Sequence, residues 1–256
     1  MAVAVLVAGG AGTRLGHALP KAFVPVAGRP LLSWSLETLI ASAPLRRIVV
    51  VLPAGHELPD DPGDWGLAPG AWNGPEGRRV TSVAGGVERS HSVLAGLRAA
   101  GDGPDGEPVL VHDGARPLVT AELVRACLLG IARGADAAVA AAPMTDTVKT
   151  SRAPYGSAPD PDDAVGLPRV DRTLDRATLW AIQTPQVFRR AALTGALGRP
   201  DAELAAATDD ASLVEAAGGD VRLVPAPRTN LKVTVPEDLD LAGLLLGAVR
   251  QNPAPC

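Results

Sequence analysis

The chain opens with an apolar run that leads directly into a glycine-rich turn, Met1-Ala-Val-Ala-Val-Leu-Val-Ala-Gly-Gly-Ala-Gly-Thr-Arg-Leu-Gly16. The consecutive apolar residues Val3–Val7 are typical of a strand that is buried on both faces. Four glycines follow in the next nine residues, so the backbone of this turn can approach another molecule closely. We therefore expect a central strand that ends at a binding loop.

Strand and helix patterns alternate along the rest of the chain. Leu32, Leu36 and Leu39 share one face of a predicted helix, and Pro30 suits its first turn. Further strands are predicted at Ile48–Leu52, Val80–Ala84, Val109–His112, Ala137–Ala142 and Val221–Val224, and further helices at Ser90–Ala100, Thr120–Arg133 and Pro236–Arg250. This alternation predicts an α/β fold with a Rossmann-like, mostly parallel sheet and helices on both faces. At 256 residues, we expect a single domain over residues 1–256.

Two segments depart from this alternation. Residues 53–79 are rich in proline and glycine and predict a surface loop with a short helix around Asp61–Leu67. Residues 143–183 are polar, broken by proline, and encode no apolar core of their own. Such a segment is stable only when it packs against something else. We interpret it as a projecting arm that forms a homodimer, because most soluble oligomers are symmetric dimers.

Composition excludes several classes of protein. The net charge of −4 and the isoelectric point of about 5.6 argue against a nucleic-acid-binding protein. No apolar run approaches the ~18 residues that a membrane helix needs. Cys127 and Cys256 are too few for a disulfide framework, and we expect a cytoplasmic protein.

The glycine-rich turn also carries charge that suits a phosphate ligand. Arg14 and Lys21 can pair with phosphates to which bare N–H groups of the turn point. A dinucleotide fingerprint needs a further glycine and an acid after the second strand, and that strand ends in Leu52-Pro-Ala-Gly55. A P-loop fails as well, since no Gly-Lys-Ser/Thr follows. A phosphate-binding loop of another kind is therefore our interpretation.

Several motifs, in order along the chain, resemble those of one enzyme family. The glycine-rich turn followed by Pro20-Lys21 is similar to the signature loop of sugar nucleotidyltransferases. Three longer motifs are similar to segments of cytidylyltransferases: Gly85-Gly-Val-Glu-Arg-Ser-His-Ser-Val93, Val111-His-Asp-Gly-Ala-Arg-Pro117 and Asn230-Leu-Lys-Val-Thr-Val-Pro-Glu-Asp-Leu239. With Asp146-Thr147, Thr184-Pro-Gln186 and Thr208-Asp-Asp-Ala-Ser212, the chain resembles the 2-C-methyl-D-erythritol 4-phosphate cytidylyltransferase family of the non-mevalonate isoprenoid pathway.

This resemblance implies a Mg²⁺-dependent transfer of a cytidylyl group from CTP to a sugar-alcohol phosphate, with release of pyrophosphate. It implies catalytic roles for Arg14, Lys21 and Lys232. It places CTP against Ala8, Gly9, Gly10, Gly12, Gly85, Gly86 and Ser92. Asp113 would bind Mg²⁺ and substrate, although a surface ion pair between Asp113 and Arg116 is the alternative. Arg116 would orient Asp113 and hold the adjacent loop.

For the sugar-alcohol phosphate, the resemblance implies Thr147, Arg176 and Thr184 together with Lys232. The arm would deliver part of this set to the partner subunit. Arg172 is an alternative to Arg176, because each follows an aspartate. Asp209 and Asp210 we interpret as the first turn of a helix capped by Thr208, not as a metal pair.

Two other functions stay open at this point. Ribitol 5-phosphate cytidylyltransferases share most of these motifs, and the polyol pocket that separates the two activities is not resolved by the sequence. A non-catalytic nucleotide-binding protein could use the same fold, because fold alone does not fix function. Retention of the charged residues Arg14, Lys21, Asp113 and Lys232 argues against it.

Overall fold

The part of the chain that the structure describes forms a central sheet of seven strands. The structure is a computed structural model, and it describes residues 1–10, 12–42, 45–74, 77–152, 156 and 166–251. Six of the strands run parallel and one runs antiparallel to them. In chain order they are β1 (Ala2–Val7), β2 (Leu45–Leu52), β3 (Val80–Ala84), β4 (Pro108–Asp113), β5 (Ala137–Pro143), β6 (Trp180–Arg189) and β7 (Val221–Pro225).

The strand order across the sheet is β7-β5-β6-β4-β1-β2-β3. The chain adds strands to one side of β1 first and then returns to place β4 on its other side. The gap between β1 and β4 is therefore the point where the strand order reverses, and open α/β sheets bind ligands beyond the carboxyl ends of the strands at such a point. The predicted Rossmann-like, mostly parallel sheet is confirmed.

Helices cover both faces of this sheet. Alternate residues of β1 enter opposite apolar clusters, with Ala4 and Leu6 on one face and Val3 on the other. This arrangement explains why the strand is an unbroken apolar run. The helices are α1 (Leu31–Ser42), α2 (Arg89–Ala99), α3 (Ala121–Ala132), α4 (Arg190–Leu197), α5 (Asp201–Ala206), α6 (Asp210–Ala216) and α7 (Pro236–Gln251).

Helix α7 closes a third apolar cluster beside the glycine-rich turn. Leu15 from the turn and Trp34 from α1 pack there with Val233, Ala242 and Leu246. The cluster anchors one end of the turn next to the segment that precedes α7. Pro30, expected in the first turn of α1, instead ends a two-residue strand, Arg29–Pro30, and the helix begins at Leu31. Across the described residues, no helix is both long enough and apolar enough to cross a membrane.

The segment between β2 and β3 is not a plain surface loop, and that prediction is wrong in part. The short helix is present as a single 3₁₀ turn, Pro62–Trp65. Trp65, Leu67 and Trp72 are buried in the same cluster as α1. This segment, residues 53–79, therefore extends the core and is called the insert below.

The arm leaves the sheet after Pro143 and returns to it at Trp180. Pro143 and Trp180 are Cα partners in the β5–β6 ladder, so the arm lies between these two residues, within the predicted range of about 143–183. The described part of the arm contains an antiparallel pair of short strands, Lys149–Ser151 with Val170–Thr173. Residues 153–155 and 157–165, part of the predicted arm, lie outside the described residues.

Candidate active site

A cleft lies at the carboxyl ends of β1, β3 and β4. The ends are joined by backbone hydrogen bonds, in which Ala8 N donates to Val51 O and Gly114 N donates to Val7 O, each at 2.8 Å. Gly85 N donates in the same way to Leu52 O at 2.8 Å. The three segments that follow these strands therefore meet at one edge of the sheet, as parallel strands require.

This cleft, called the first cleft, has a volume of about 300 Å³. Ten of the residues that the sequence singled out lie in its wall. They are Ala8, Gly9, Gly10, Gly12, Arg14, Lys21, Gly86, Ser92, Asp113 and Lys232. Gly85 lies just behind, in a shallow pocket that shares Gly9 and Gly86 with the cleft. Segments far apart in sequence therefore converge on one space, and their individual roles stay predictions.

The glycine-rich turn brings its own backbone against Lys21. Gly12 has φ +68°, a conformation that residues with a side chain rarely adopt. A Cβ at Gly12 would lie 2.4 Å from Cβ of Lys21 and 3.1 Å from its Cα. The absence of a side chain at Gly12 thus permits the position of the 3₁₀ turn Lys21–Phe23.

Ser92 connects α2 to the Gly85–Gly86 segment. Its hydroxyl accepts from Gly86 N at 3.1 Å and donates to Glu88 O at 3.1 Å. The side chain is buried in the wall of the cleft. Ser92 therefore fixes the backbone that follows β3, a structural role that is compatible with its expected place against CTP.

Four charged side chains form a continuous series of ion pairs that leads from the wall of the clefts into the protein interior. Asp113 Oδ2 lies 2.7 Å from Lys232 Nζ, and Asp113 Oδ1 lies 3.3 Å from Arg89 Nε. On its other side, Arg89 Nη1 lies 2.6 Å from Asp210 Oδ2. Burial alone would raise the pKa of Asp113, but Arg89 and Lys232 outweigh it and hold that pKa well below its usual range. Asp113 is therefore ionised at any physiological pH.

The pKa of Lys21, one of the cations of the first cleft, is well below its usual value. Burial lowers its pKa to about 8, and the positive charge of Lys232 acts in the same direction. The nearby Asp113 opposes this only in part. Perturbed lysines of this kind cluster at functional sites. Lys21 is still mostly protonated at neutral pH, so it can serve as a cation there.

A second cleft adjoins the first and shares Arg89, Asp113 and Lys232 with it. Arg116 and Thr184 line this second cleft. Residues singled out from the sequence therefore lie in both clefts. The three charged residues that the clefts share form the wall between them.

Hydrogen bonds hold the backbone of this wall. Asp113 N donates to the Thr184 hydroxyl at 3.0 Å, and that hydroxyl lies 3.0 Å from His112 Nδ1. Burial lowers the pKa of His112 to about 4, so its ring is neutral. The other ring nitrogen, Nε2, lies 3.3 Å from Arg116 O, where a ring N–H can donate. His112 is thus a packed strand residue that ties Thr184 to the loop after β4.

Arg116 holds the loop that carries Lys232. Its Nη1 donates to Asn230 O at 2.8 Å, and Asn230 Nδ2 donates to Thr184 O at 2.9 Å. Val233 N donates to Ala115 O at 2.8 Å. The expected loop-holding role of Arg116 is therefore seen, whereas Asp113 forms its ion pairs with Arg89 and Lys232 rather than with Arg116.

Two residues near α6 differ from expectation. The helix is capped by Asp209, whose carboxylate accepts from Ser212 N at 2.9 Å, and not by Thr208.

Arg89 lines both clefts, although the sequence predicted no role for it in the site. Its partner Asp210 lies 121 residues further along the chain, a separation that no local pattern reveals.

Thr147 and Arg176 lie on the arm, exposed, and neither belongs to the wall of either cleft. Arg176 Nη1 donates to Thr145 O at 2.8 Å. Arg172, the alternative, is exposed on the arm strand Val170–Thr173. A single chain therefore does not bring the arm residues to Asp113 and Lys232.

The donor set can be tested against the expected Mg²⁺. Among the described residues, no group of three or more His, Cys, Asp or Glu side chains is arranged to hold a metal ion. Asp113 provides one carboxylate that faces the cleft and keeps its charge. Mg²⁺ commonly takes one or two carboxylates and obtains its remaining oxygens from substrate phosphates and water. The residues present fit such a site, in which a nucleotide supplies most ligands.

The fold and the cleft define a class of protein. A glycine-rich turn after the first strand of a mostly parallel sheet, with Arg14, Lys21 and Lys232 around it, defines a protein suited to bind the phosphates of a nucleotide. The sequence model of the family described as "IspD: 2-C-methyl-D-erythritol 4-phosphate cytidylyltransferase" matches residues 2–248. The chain belongs to this family of cytidylyltransferases, and the resemblance noted from its motifs is confirmed.

Individual relatives agree with this assignment. The 2-C-methyl-D-erythritol 4-phosphate cytidylyltransferase of Rubrobacter xylanophilus is 40% identical over 251 residues, which cover 96% of this chain and 95% of that protein. A bifunctional IspD/IspF enzyme of Anaeromyxobacter dehalogenans is 42% identical over 246 residues. This chain spans 57% of the length of that bifunctional relative.

Solved structures show the same fold. The crystal structure of 2-C-methyl-D-erythritol 4-phosphate cytidylyltransferase from Thermus thermophilus superposes with a TM-score of 0.69 at 32% identity. The match covers 96% of this chain and 98% of that one. A synthase of 4-diphosphocytidyl-2C-methyl-D-erythritol from Anaerococcus prevotii gives a TM-score of 0.70 at 26% identity, with 96% of each chain covered.

Proposed function

We propose that this chain transfers the cytidylyl group of CTP to 2-C-methyl-D-erythritol 4-phosphate. A phosphate oxygen of the sugar alcohol forms a bond to the α-phosphorus of CTP, and the bond from that phosphorus to pyrophosphate breaks. The products are 4-diphosphocytidyl-2-C-methyl-D-erythritol and pyrophosphate. The observation that supports this most is the convergence of Arg14, Lys21 and Lys232 on one cleft in a chain of this family.

The cations act on charge that develops during the transfer. Negative charge spreads over the α-phosphate oxygens in the transition state, so positioning and electrostatic stabilisation supply most of the catalysis. Arg14 and Lys21 lie on the side of the glycine-rich turn, while Lys232 faces the second cleft as well. We infer that the turn holds the nucleotide and that Lys232 orients the incoming phosphate.

Mg²⁺ would lie beside Asp113. When bound, it would neutralise part of the charge on the triphosphate and on the departing pyrophosphate. Asp113 keeps its negative charge there, and its pairs with Arg89 and Lys232 fix the carboxylate in place. Binding of CTP measured by calorimetry with and without Mg²⁺, in wild type and in Asp113→Asn, tests this role. An Asn variant that keeps the full metal effect would show that Asp113 is structural only.

The second cleft is the proposed site for the sugar-alcohol phosphate. Thr184 and Arg116 line it next to Lys232. Thr147 and Arg176 are exposed on the arm of the same chain, so we propose that the arm of a partner subunit supplies them in a homodimer. Each active site would then combine residues of two chains.

Pyrophosphate release tests the proposed function directly. Purified protein is incubated with CTP, Mg²⁺ and either 2-C-methyl-D-erythritol 4-phosphate or ribitol 5-phosphate. We expect rapid release with the first phosphate and release near background with the second. Faster turnover of ribitol 5-phosphate would reverse the substrate assignment. If neither phosphate gives CTP-dependent release of pyrophosphate, the protein binds nucleotide without catalysing the transfer.

A further inference from the structure

We propose that Asp210 is a positioning residue for this reaction, acting through Arg89 on the Asp113 carboxylate. This proposal rests on the function proposed above. Asp210 lies on α6 and touches neither CTP nor the sugar-alcohol phosphate in that scheme, since it is absent from the walls of both clefts. Its side chain is 1% exposed, and Oδ2 lies 2.6 Å from Arg89 Nη1.

The four charged groups alternate in sign from the interior to the clefts. Asp210, Arg89, Asp113 and Lys232 follow one another at 2.6, 3.3 and 2.7 Å. Their side chains are 1%, 28%, 9% and 38% exposed in the same order. Asp210 is the most deeply buried of these four side chains. We therefore take Asp210 as the fixed point of the series, whose position determines that of Arg89.

Arg89 depends on this fixed point for its orientation. It is a long side chain in the wall between two clefts, and a guanidinium is free to turn toward any phosphate that enters. The short contact to Asp210 leaves Nε directed at Asp113 Oδ1. Without the charge of Asp210, Arg89 can leave Asp113, and the carboxylate then has Lys232 as its remaining ion-pair partner.

The remaining oxygen of Asp210 supports a specific role rather than simple packing. Oδ1 is buried and has no hydrogen-bond partner among the described residues. Buried polar atoms are normally hydrogen-bonded, and an unpaired one calls for an explanation. Here one oxygen is left unpaired while the other is directed at a cleft residue, so the orientation of Arg89 is what this carboxylate secures.

Glu107 provides a matched control in the same protein. It is 5% exposed and pairs with two arginines, with Oε2 lying 2.6 Å from Arg190 Nη2. It directly precedes β4, at the opposite end of the strand from Asp113. Glu107→Gln therefore removes a buried charge of the same kind far from the clefts. Any general effect of such a loss on stability appears in both variants.

The test compares Asp210→Asn, Arg89→Met, their double variant and Glu107→Gln, each corrected for its folded fraction. We expect Asp210→Asn to lower kcat about tenfold, the scale of a lost charge-assisted contact, with KM for CTP changed less than about threefold. Glu107→Gln should keep wild-type kcat. The double variant should match Arg89→Met alone, because Asp210 acts through Arg89. Additive effects, or equal losses in the control, would overturn the proposal.

A crystal structure of Asp210→Asn gives a second measurement that does not require turnover. We expect the Arg89 Nε to Asp113 Oδ1 contact to be broken, and an unchanged contact would refute the proposal. If the wild-type protein releases no pyrophosphate, the proposed function fails, and this structure still decides whether Asp210 holds Arg89 against Asp113. If the wild type is active and the Asn variant equals it, only the positioning role fails.

Discussion

Lys21 is a cation of the first cleft whose charge changes within the accessible pH range. It is partly buried beside Lys232, and both conditions favour loss of its proton, which brings its pKa to about 8. Asp113 lies close enough to oppose this in part. A cation with this pKa is largely charged at neutral pH and largely neutral above about pH 9.

A falling alkaline limb should therefore appear in the pH profile. The proton of Lys21 is lost as pH rises through about 8, so we expect kcat/KM for CTP to decline above that pH. The limb in kcat should lie at higher pH, because bound phosphates favour the protonated amine. Lys21→Arg is the control, since arginine stays charged throughout. Identical profiles for the two proteins would mean that another group causes the limb.

Removal of the charge should affect turnover more than binding. For Lys21→Ala and Arg14→Ala we expect a loss of at least ~10²-fold in kcat, because the charge they meet grows in the transition state. Affinity for CTP, measured by calorimetry, should change much less. Variants with near-normal turnover would remove both residues from the mechanism.

The sequence anticipated most of the cleft residues but not their connections. Arg14, Lys21 and Asp113 were recognisable because each follows a strand or a glycine-rich turn within a local motif. The ion pair between Arg89 and Asp210 was not, because it joins residues far apart in sequence through tertiary packing. This ion pair forms only when folding brings the start of α2, with Arg89, next to the start of α6, with Asp210.

Two glycines of the glycine-rich turn, Gly12 and Gly16, have the same backbone conformation but different surroundings. Gly12 and Gly16 have φ of +68° and +62°. A Cβ at Gly12 would meet Lys21, whereas a Cβ at Gly16 has nothing within 4 Å among the described residues. The two positions therefore separate backbone strain from displacement of Lys21.

Alanine substitutions should reveal this difference. Both variants carry a similar strain of ~1–2 kcal/mol from the left-handed conformation. We expect only Gly12→Ala to lower kcat strongly, because the new methyl group pushes the Lys21 backbone away. Thermal unfolding should show a loss of stability in both variants, and a larger one in Gly12→Ala because its methyl group also meets Lys21. Equal activities would indicate that the turn adapts without moving Lys21.

The insert contributes to the core near Lys21. The ring of Trp65 lies 6.0 Å from the rings of both Phe23 and Trp72, and His56 stacks on Phe23 at 4.9 Å. Phe23 ends the 3₁₀ turn that begins with Lys21. The insert therefore packs directly against the element that carries a proposed catalytic cation.

Trp65→Ala should consequently destabilise the whole protein. We expect the free energy of unfolding in urea to fall by ~3–5 kcal/mol, the usual result of truncating a buried tryptophan. Leu244→Ala is the control, because Leu244 is 74% exposed and such changes shift stability by less than ~0.5 kcal/mol. If the free energy of unfolding falls no more in Trp65→Ala than in Leu244→Ala, the insert is a surface loop that does not support the core.

Elements with regular periodicity were predicted well, and the irregular ones were not. Val80–Ala84 has the predicted bounds, and α3 differs from its prediction by one residue at each end. The strand β6 was missed because Pro185 lies in its middle, and proline argues against a central strand. The β5–β6 register shifts between Ile182 and Gln186, so Pro185 occupies an irregularity in which a missing N–H is tolerated.

The assembly proposed for the whole molecule can be tested by mixing defective chains. If each arm supplies Arg176 to its neighbour, a dimer of one Lys21→Ala and one Arg176→Ala subunit has one site with both lesions and one with neither. At equal concentrations about half of the dimers are mixed, so roughly a quarter of the wild-type sites should return. Restored pyrophosphate release after subunit exchange is the measurement.

Either of two results would contradict the shared site. Activity that stays at the level of the unmixed variants, in a dimer with demonstrated subunit exchange, would show that Arg176 serves its own chain. A protein that remains monomeric in sedimentation at working concentration would remove the partner altogether. Arg172→Ala in place of Arg176→Ala distinguishes the two candidate arginines, since only one should support rescue.

The root of the arm has a consequence for how this chain can change over evolution. Pro143 and Trp180 pair directly across two neighbouring strands, so the arm leaves the sheet and re-enters it at adjacent positions. Lengthening such a segment adds little closure entropy, about 0.6 kcal/mol for each doubling. Residues can therefore be gained or lost there while the nucleotide cleft keeps its geometry. If the arm forms the proposed dimer, selection on the assembly can thus act on the arm almost independently of selection on the residues that surround the nucleotide.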